Sequence, residues 1–286
     1  MSYGYFDDEN KEYVITKPDT PLPWINYLGT KDFYGIISNT GGGYSFYRDA
    51  KLRRLTRYRY NNIPMDSNGR YIYIKDGDTV WNPMWKPTCT ELDNYECRQG
   101  LGYTKISGEK NGLEVSVLYF IPKDGKNEIW HVEVKNNSDQ KKNIRMWGFV
   151  EWCLWDVLDD MTNFQRNYSI GEVEIEDKAI FHKTEYRERR DHYAFFATHA
   201  ATSGYDTTRD AFVGVHNGLN NPKAISNGEC SQSHAHGWLP VGVHQIDLDV
   251  VPGETKTLNF LLGYAENPKD QKFNADGTIV KTEFNE

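Results

Sequence analysis

Along most of the chain apolar and polar residues alternate with a period of two, and Gly, Asn, Asp or Pro breaks the run at short intervals. That pattern belongs to strands with one buried face. Residues 102–107 lead through Lys110-Asn111-Gly112 into residues 113–120, which predicts a hairpin about Asn-Gly. Residues 171–176 and 179–183 predict another about Asp177. Residues 128–135 set Trp130, Val132 and Val134 on one face against Ile129, His131 and Glu133 on the other. Further strands are expected at 13–15, 33–38, 70–74, 144–154, 193–198, 243–251 and 256–264, the last two joined by Pro252-Gly253. Pro18, Pro21 and Pro23 exclude a helix near the start, and almost no stretch repeats at 3.6 residues. The expected fold is all-β: a large antiparallel β-sandwich over residues 1–268. Residues 269–286 are polar and are expected to form a tail or the start of a linker.

Composition narrows the function classes. The chain has 286 residues, enough for one large β domain with a substantial core. It holds 19 Tyr and 8 Trp, which suits an all-β fold with carbohydrate or interface surfaces. A formal net charge of −8 argues against nucleic acid as a partner. No apolar stretch reaches the length of a membrane span, and Asp7, Asp8 and Glu9 stand where a secretion signal would be apolar. Cys89, Cys97, Cys153 and Cys230 form no CxxC pair and read as plain thiols, so a cytoplasmic location is expected.

The stretch 149–167 carries the most chemistry. It begins as an apolar strand with a single carboxylate, Glu151, and breaks into Asp156, Asp159, Asp160, Thr162, Asn163, Gln165, Arg166 and Asn167, with Phe164 and Tyr168 beside them. Many fixed hydrogen-bonding groups next to flat apolar faces suit a sugar; a solvated loop has the same composition. Asp156, Asp159 and Asp160 are too close in sequence to face each other across a glycosidic bond. Residues 44–60 mix Arg48, Lys51, Arg53, Arg54, Arg57 and Arg59 with Tyr44, Phe46, Tyr47, Tyr58 and Tyr60. In an acidic chain these arginines are expected to pair with carboxylates and stack on tyrosines. Thr40-Gly41-Gly42-Gly43 lacks the Gly-Lys-Ser/Thr ending of a phosphate loop, and no Gly-x-Ser-x-Gly is present. His234-Ala235-His236, with His244 nearby, is a weak metal pattern beside the plainer reading of solvated histidines. Glu185, Glu188 and Asp191 among Arg187, Arg189 and Arg190 read as ion pairs across strands.

Several longer motifs resemble glycoside hydrolase family 94, the cellobiose phosphorylases: residues 3–8, 12–16, 23–29, 42–50, 57–62, 162–167 and 182–193. The resemblance runs from residue 1 to about Pro268. It implies an N-terminal β super-sandwich, followed in the family by a helical linker and an (α/α)6 barrel. The barrel carries the general-acid aspartate and the phosphate-binding residues, and neither is expected in this chain. Members cleave β-glucosides with inversion, here cellobiose, using inorganic phosphate as co-substrate and no cofactor. They are homodimers in which a loop of this domain reaches the partner's active site. By that resemblance Asn163, Gln165 and Arg166 contribute to the acceptor subsite. Asp156 joins them, at a position where the family pattern has asparagine. Alone, the chain is then an acceptor wall; a stand-alone sugar-binding or assembly module is the alternative.

Overall fold

The computed structural model describes residues 2–29, 31–59, 64–67, 69–162, 171–185, 191–237 and 239–285. Two large antiparallel sheets account for the architecture. The strands begin with β1 (Gly4–Asp7), β2 (Glu12–Ile15), β3 (Ile25–Leu28), β4 (Phe33–Ser38), β5 (Gly43–Tyr47) and β6 (Arg54–Thr56). Next come β7 (Arg70–Asp76), β8 (Thr79–Trp81), β9 (Asn94–Gly100), β10 (Tyr103–Lys110), β11 (Leu113–Phe120) and β12 (Asn127–Asn136). The remainder are β13 (Lys142–Trp155), β14 (Val173–Glu176), β15 (Ala179–His182), β16 (His192–Thr198), β17 (Gly204–Thr208), β18 (Pro240–Val250) and β19 (Thr255–Glu266). Among the described residues, four short helices accompany them: α1 (Val157–Met161), α2 (Arg209–Phe212), α3 (Lys223–Asn227) and α4 (Thr282–Asn285).

The first sheet has ten strands in the order β1-β2-β9-β10-β11-β12-β19-β16-β15-β14. The second has nine, β17-β18-β13-β6-β5-β4-β3, with β7 also on β13 and β8 on β7. The expected hairpin about Asn111-Gly112 pairs Lys110 with Leu113, and both turn residues have positive φ, 53° and 74°. That is the twist a two-residue hairpin needs. The hairpin about Asp177 pairs Glu176 with Ala179.

The main core lies between the sheets, with Trp130, Phe196, Phe260 and Leu262 facing Ile72, Ile74, Met146, Val150 and Trp152. Gly148 makes this approach possible, because a Cβ there would lie 2.5 Å from the Phe260 ring. A second cluster covers the outer face of the second sheet. Phe212, Val213, Leu219, Ala224 and Ile225 pack on Tyr71, Tyr73, Trp147, Phe149, Val241 and Val243. β13 is therefore buried on both faces from Met146 to Trp155, which explains why its sequence stops alternating. One ion pair crosses the main core: Arg70 and Glu128, both fully buried, 3.1 Å apart. Ser45 Oγ and Trp130 Nε1 donate to the same carboxylate, each at 2.7 Å.

The arginines of residues 44–60 behave as expected from an acidic chain. Arg54 stacks 3.7 Å over the Tyr44 ring, Arg48 pairs with Asp32 and Arg53 with Glu266, both at 3.0 Å. Residues 269–286 are read from sequence as a polar linker or tail, but the described part of that segment runs back along β14, β15 and β16. Lys272 and Ile279 are buried there, and Phe284 packs edge-on against Phe181 and Phe195. The Lys272 ammonium donates to the Lys183 carbonyl at 2.9 Å beside Glu185, and burial pushes its pKa down to about 8. No helix among the described residues is long and apolar enough to cross a membrane.

Candidate functional site: the end of β13 and its charge cluster

β13 ends abruptly. Trp155 takes φ +69°, which turns the chain out of the sheet, and Asp156 starts α1. The Asp156 carboxylate accepts from the backbone N–H groups of Leu158 (2.9 Å) and Asp159 (3.2 Å). This is the helix N-cap arrangement, and the acid also sits at the favourable end of the helix dipole. Both bonds use Oδ1. Asn163, Gln165 and Arg166 lie outside the described residues. Asp156→Ala is expected to cost about 1 kcal/mol in urea unfolding and Asp156→Asn much less, since asparagine also caps. Equal losses in the two variants would show that the charge, not the cap, holds this corner.

Beneath α1 the side chains form a buried charge cluster. Arg57 places Nη1 2.9 Å from Glu151 and Nε 3.2 Å from Asp160. Arg209, at the start of α2, brings its Nε to 3.4 Å from the same Glu151 oxygen, Oε1. Arg59 donates to the Asp160 main-chain carbonyl at 2.7 Å. Glu151 and Asp160 are almost wholly buried. Burial disfavours the charge on Arg57, but the attraction of Glu151 and Asp160 outweighs it and holds the pKa above the ordinary guanidinium value. Arg59 goes the other way, lowered by burial and by the neighbouring Arg57 cation. The result fastens the first turn after β13 to strands β6 and β13 and to α2. Asp159 and Asp160 thus do not form a pair across an open cleft: Asp160 faces inward onto Arg57.

Behind the cluster stands an aromatic column. His182 lies between the Trp152 and Trp155 rings at 5.4 and 5.0 Å, nearly parallel to both. Its Nε2–H donates to the Cys153 carbonyl at 3.2 Å. Trp155 Nε1 donates to the Thr184 carbonyl at 2.8 Å, and the His192 ring meets Trp155 edge-on at 4.2 Å. These contacts pack the end of β13 from both sides of the Trp155 ring.

Two cavities open nearby. One of about 340 Å³ is lined by Arg57, Lys86, Cys89, Arg209 and Asn220, with Leu219 among its apolar wall. The other, about 240 Å³, includes Trp85, Asn39, Thr40 and Asp66. Its mixture looks suited to a sugar, but its polar groups are engaged internally. Asp66 accepts from the Ser38, Thr40 and Tyr58 hydroxyls, and the Asn39 amide bonds to Pro18 and Trp24. The histidines of the weak metal pattern do not converge. His234 and His236 are exposed, while buried His244 donates to the Phe196 carbonyl at 3.0 Å. Sequence reasoning missed Arg209 altogether and read Asp160 as a loop residue. Glu151 was the available signal, as the one acid in an apolar strand, which demands a partner.

The family model described as glycosyl hydrolase 94, supersandwich domain, matches residues 11–276. An N,N'-diacetylchitobiose phosphorylase from Vibrio furnissii is 39% identical over 271 residues, covering 92% of this chain and 33% of that protein. A solabiose phosphorylase from Paenibacillus borealis is 29% identical over 269 residues, covering 92% of this chain and 35% of its own length. The chain thus spans about a third of the length of the curated relatives it matches. Among solved structures, a putative kojibiose phosphorylase from the human microbiome superposes with a TM-score of 0.54 at 11% identity, over 93% of this chain and 34% of that one, a likeness of fold. The two-sheet architecture and a family match across nearly the whole chain therefore agree: this chain belongs to glycosyl hydrolase family 94, and residues 11–276 are its supersandwich domain.

Proposed function

We propose that the chain is the N-terminal supersandwich part of an inverting phosphorylase of β-linked disaccharides, and that it supplies one wall of the acceptor subsite. The observation that carries this is the 39% identity, extending over 92% of the chain, to a phosphorylase. The substrate expectation moves with the relatives. Cellobiose was the first expectation, but two N,N'-diacetylchitobiose phosphorylases, 39% and 36% identical, make that disaccharide the first to try. Inorganic phosphate is the co-substrate, with no further cofactor. A barrel domain supplies the general acid that protonates the leaving oxygen while phosphate attacks from the opposite face. This chain's part is to hold the acceptor hydroxyls, with Asn163, Gln165, Arg166 and Asp156 as the contacting groups. The packed end of β13 supports that role, since Asp156 is fixed on both sides. We place the working enzyme as a homodimer in the cytoplasm, where cysteines remain reduced.

The test is a chimera in which this chain replaces the matching third of the Vibrio furnissii enzyme. The chimera is expected to release sugar 1-phosphate from N,N'-diacetylchitobiose. Arg166→Ala in it is expected to raise the acceptor KM in the synthetic direction by about tenfold or more, with the melting temperature unchanged, as for loss of a charge-assisted hydrogen bond. A folded but inactive chimera would sink the reading, as would an Arg166→Ala variant with unaltered acceptor use.

A further inference from the structure

The cleft beside the charge cluster holds more positive charge than the acids behind it neutralise. Arg57, Lys86 and Arg209 line it, and none of its described lining residues is a carboxylate. Glu151 and Asp160 lie behind that wall and are shared. Arg57 takes both, and Arg209 takes Glu151 again. Arg59 approaches Asp160 at its main-chain carbonyl. Lys86 spends its ammonium on the neutral Met65 carbonyl, 2.7 Å away. The next buried acid, Asp66, faces three hydroxyls.

We propose that this cleft binds the phosphate group of a small anion, either inorganic phosphate or a sugar monoester. A dianion answers three cations lining one cleft, two of them guanidinium groups, better than a singly charged carboxylate does. The cavity, about 340 Å³, is within the usual range for small-molecule sites and leaves room beyond a bare phosphate. Leu219 and the prolines Pro64 and Pro87 give that extra room apolar walls, and Asn220 adds an amide. Nothing in this argument draws on residues 163–166, so it stands whether or not the chimera described above is active.

Titration calorimetry of the whole chain at low ionic strength, with inorganic phosphate, glucose 6-phosphate, glucuronate and glucose in turn, tests it. Phosphate compounds are expected to bind, with glucuronate and glucose at least about tenfold weaker. Arg209→Gln and Lys86→Gln are each expected to weaken phosphate binding by about tenfold or more. If Arg209→Gln loosens the fold, Lys86→Gln at the rim carries the test. Tighter binding of glucose 6-phosphate than of inorganic phosphate identifies a sugar monoester as the ligand; equal affinity identifies the free anion. No binding of either phosphate at millimolar concentration overturns the proposal. So does unchanged affinity in the folded variants, or glucuronate binding as tightly as phosphate.

Discussion

Replacing Glu128 by alanine is expected to cost about 3–5 kcal/mol of unfolding free energy, the range for breaking a buried ion pair from one side. The size follows from what stays behind. Arg70 is fully buried on β7, and without Glu128 its guanidinium has a core of Tyr119, Trp130 and other apolar side chains around it. Its remaining bonds, to the Ile36 carbonyl at 2.7 Å and Ser45 Oγ at 3.2 Å, do not neutralise a charge. Trp130 Nε1 and Ser45 Oγ lose their acceptor at the same time. Removing both charges is a different experiment. The double variant Arg70→Met with Glu128→Leu is expected to cost less than the sum of the single losses, because no unpaired charge remains. Urea unfolding of the wild type, Arg70→Met, Glu128→Leu and the double variant measures this directly. Additive single losses would mean that the pair is not coupled across the sheets.

Acid is expected to destabilise the protein well before its carboxylates titrate. Burial, with a contribution from the Lys272 cation, holds His182 at a pKa of about 3, and burial alone brings His244 to about 4 despite its bond to the Phe196 carbonyl. Each starts from an ordinary value of 6.5. Both folded-state values are depressed, so the unfolded chain takes up protons first as the pH falls. Stability is therefore full above pH 6.5 and declines below it, until the folded-state values near 3 and 4 are reached. At about 1.4 kcal/mol per pH unit for each group, going from pH 7 to pH 5 removes about 2 kcal/mol per histidine. The depressed carboxylates, Asp7 and Asp32 among them, start from 3.8 and act only at lower pH. Chemical unfolding at the two pH values checks the sum. In His244→Asn the loss between them is expected to halve, whatever the substitution costs at pH 7. An unchanged loss would remove His244 from the account.

Much of the fold was written in the local pattern. Period-two alternation and turn residues gave the strands on either side of Asn111-Gly112 and Asp177, and the strict alternation of β12 put Trp130, Val132 and Val134 on one face, which the two sheets bury between them. These are short-range properties, set by pleat geometry and turn stereochemistry, and a sequence carries them without help from distant residues. The same alternation put Glu128 in phase with Trp130, yet the pattern alone could not say that an acid belonged inside. Its partner, Arg70, is fifty-eight positions earlier and on the other sheet, a separation read from the two residue numbers.

At the site the division is similar. The sequence marked the end of β13 as the place where an apolar strand becomes a hydrogen-bonding run, and motif likeness named the family. It did not reveal that Asp156 caps α1, that Asp160 turns inward to Arg57, or that Arg209 closes the cluster from a segment across the sheet. Nor did it show that Lys272 is buried rather than part of a frayed end. Each of these depends on which charges meet after the two sheets close. Whether a side chain is a ligand, a cap or half of an ion pair is a property of its neighbours. Those neighbours are assembled only by long-range pairing.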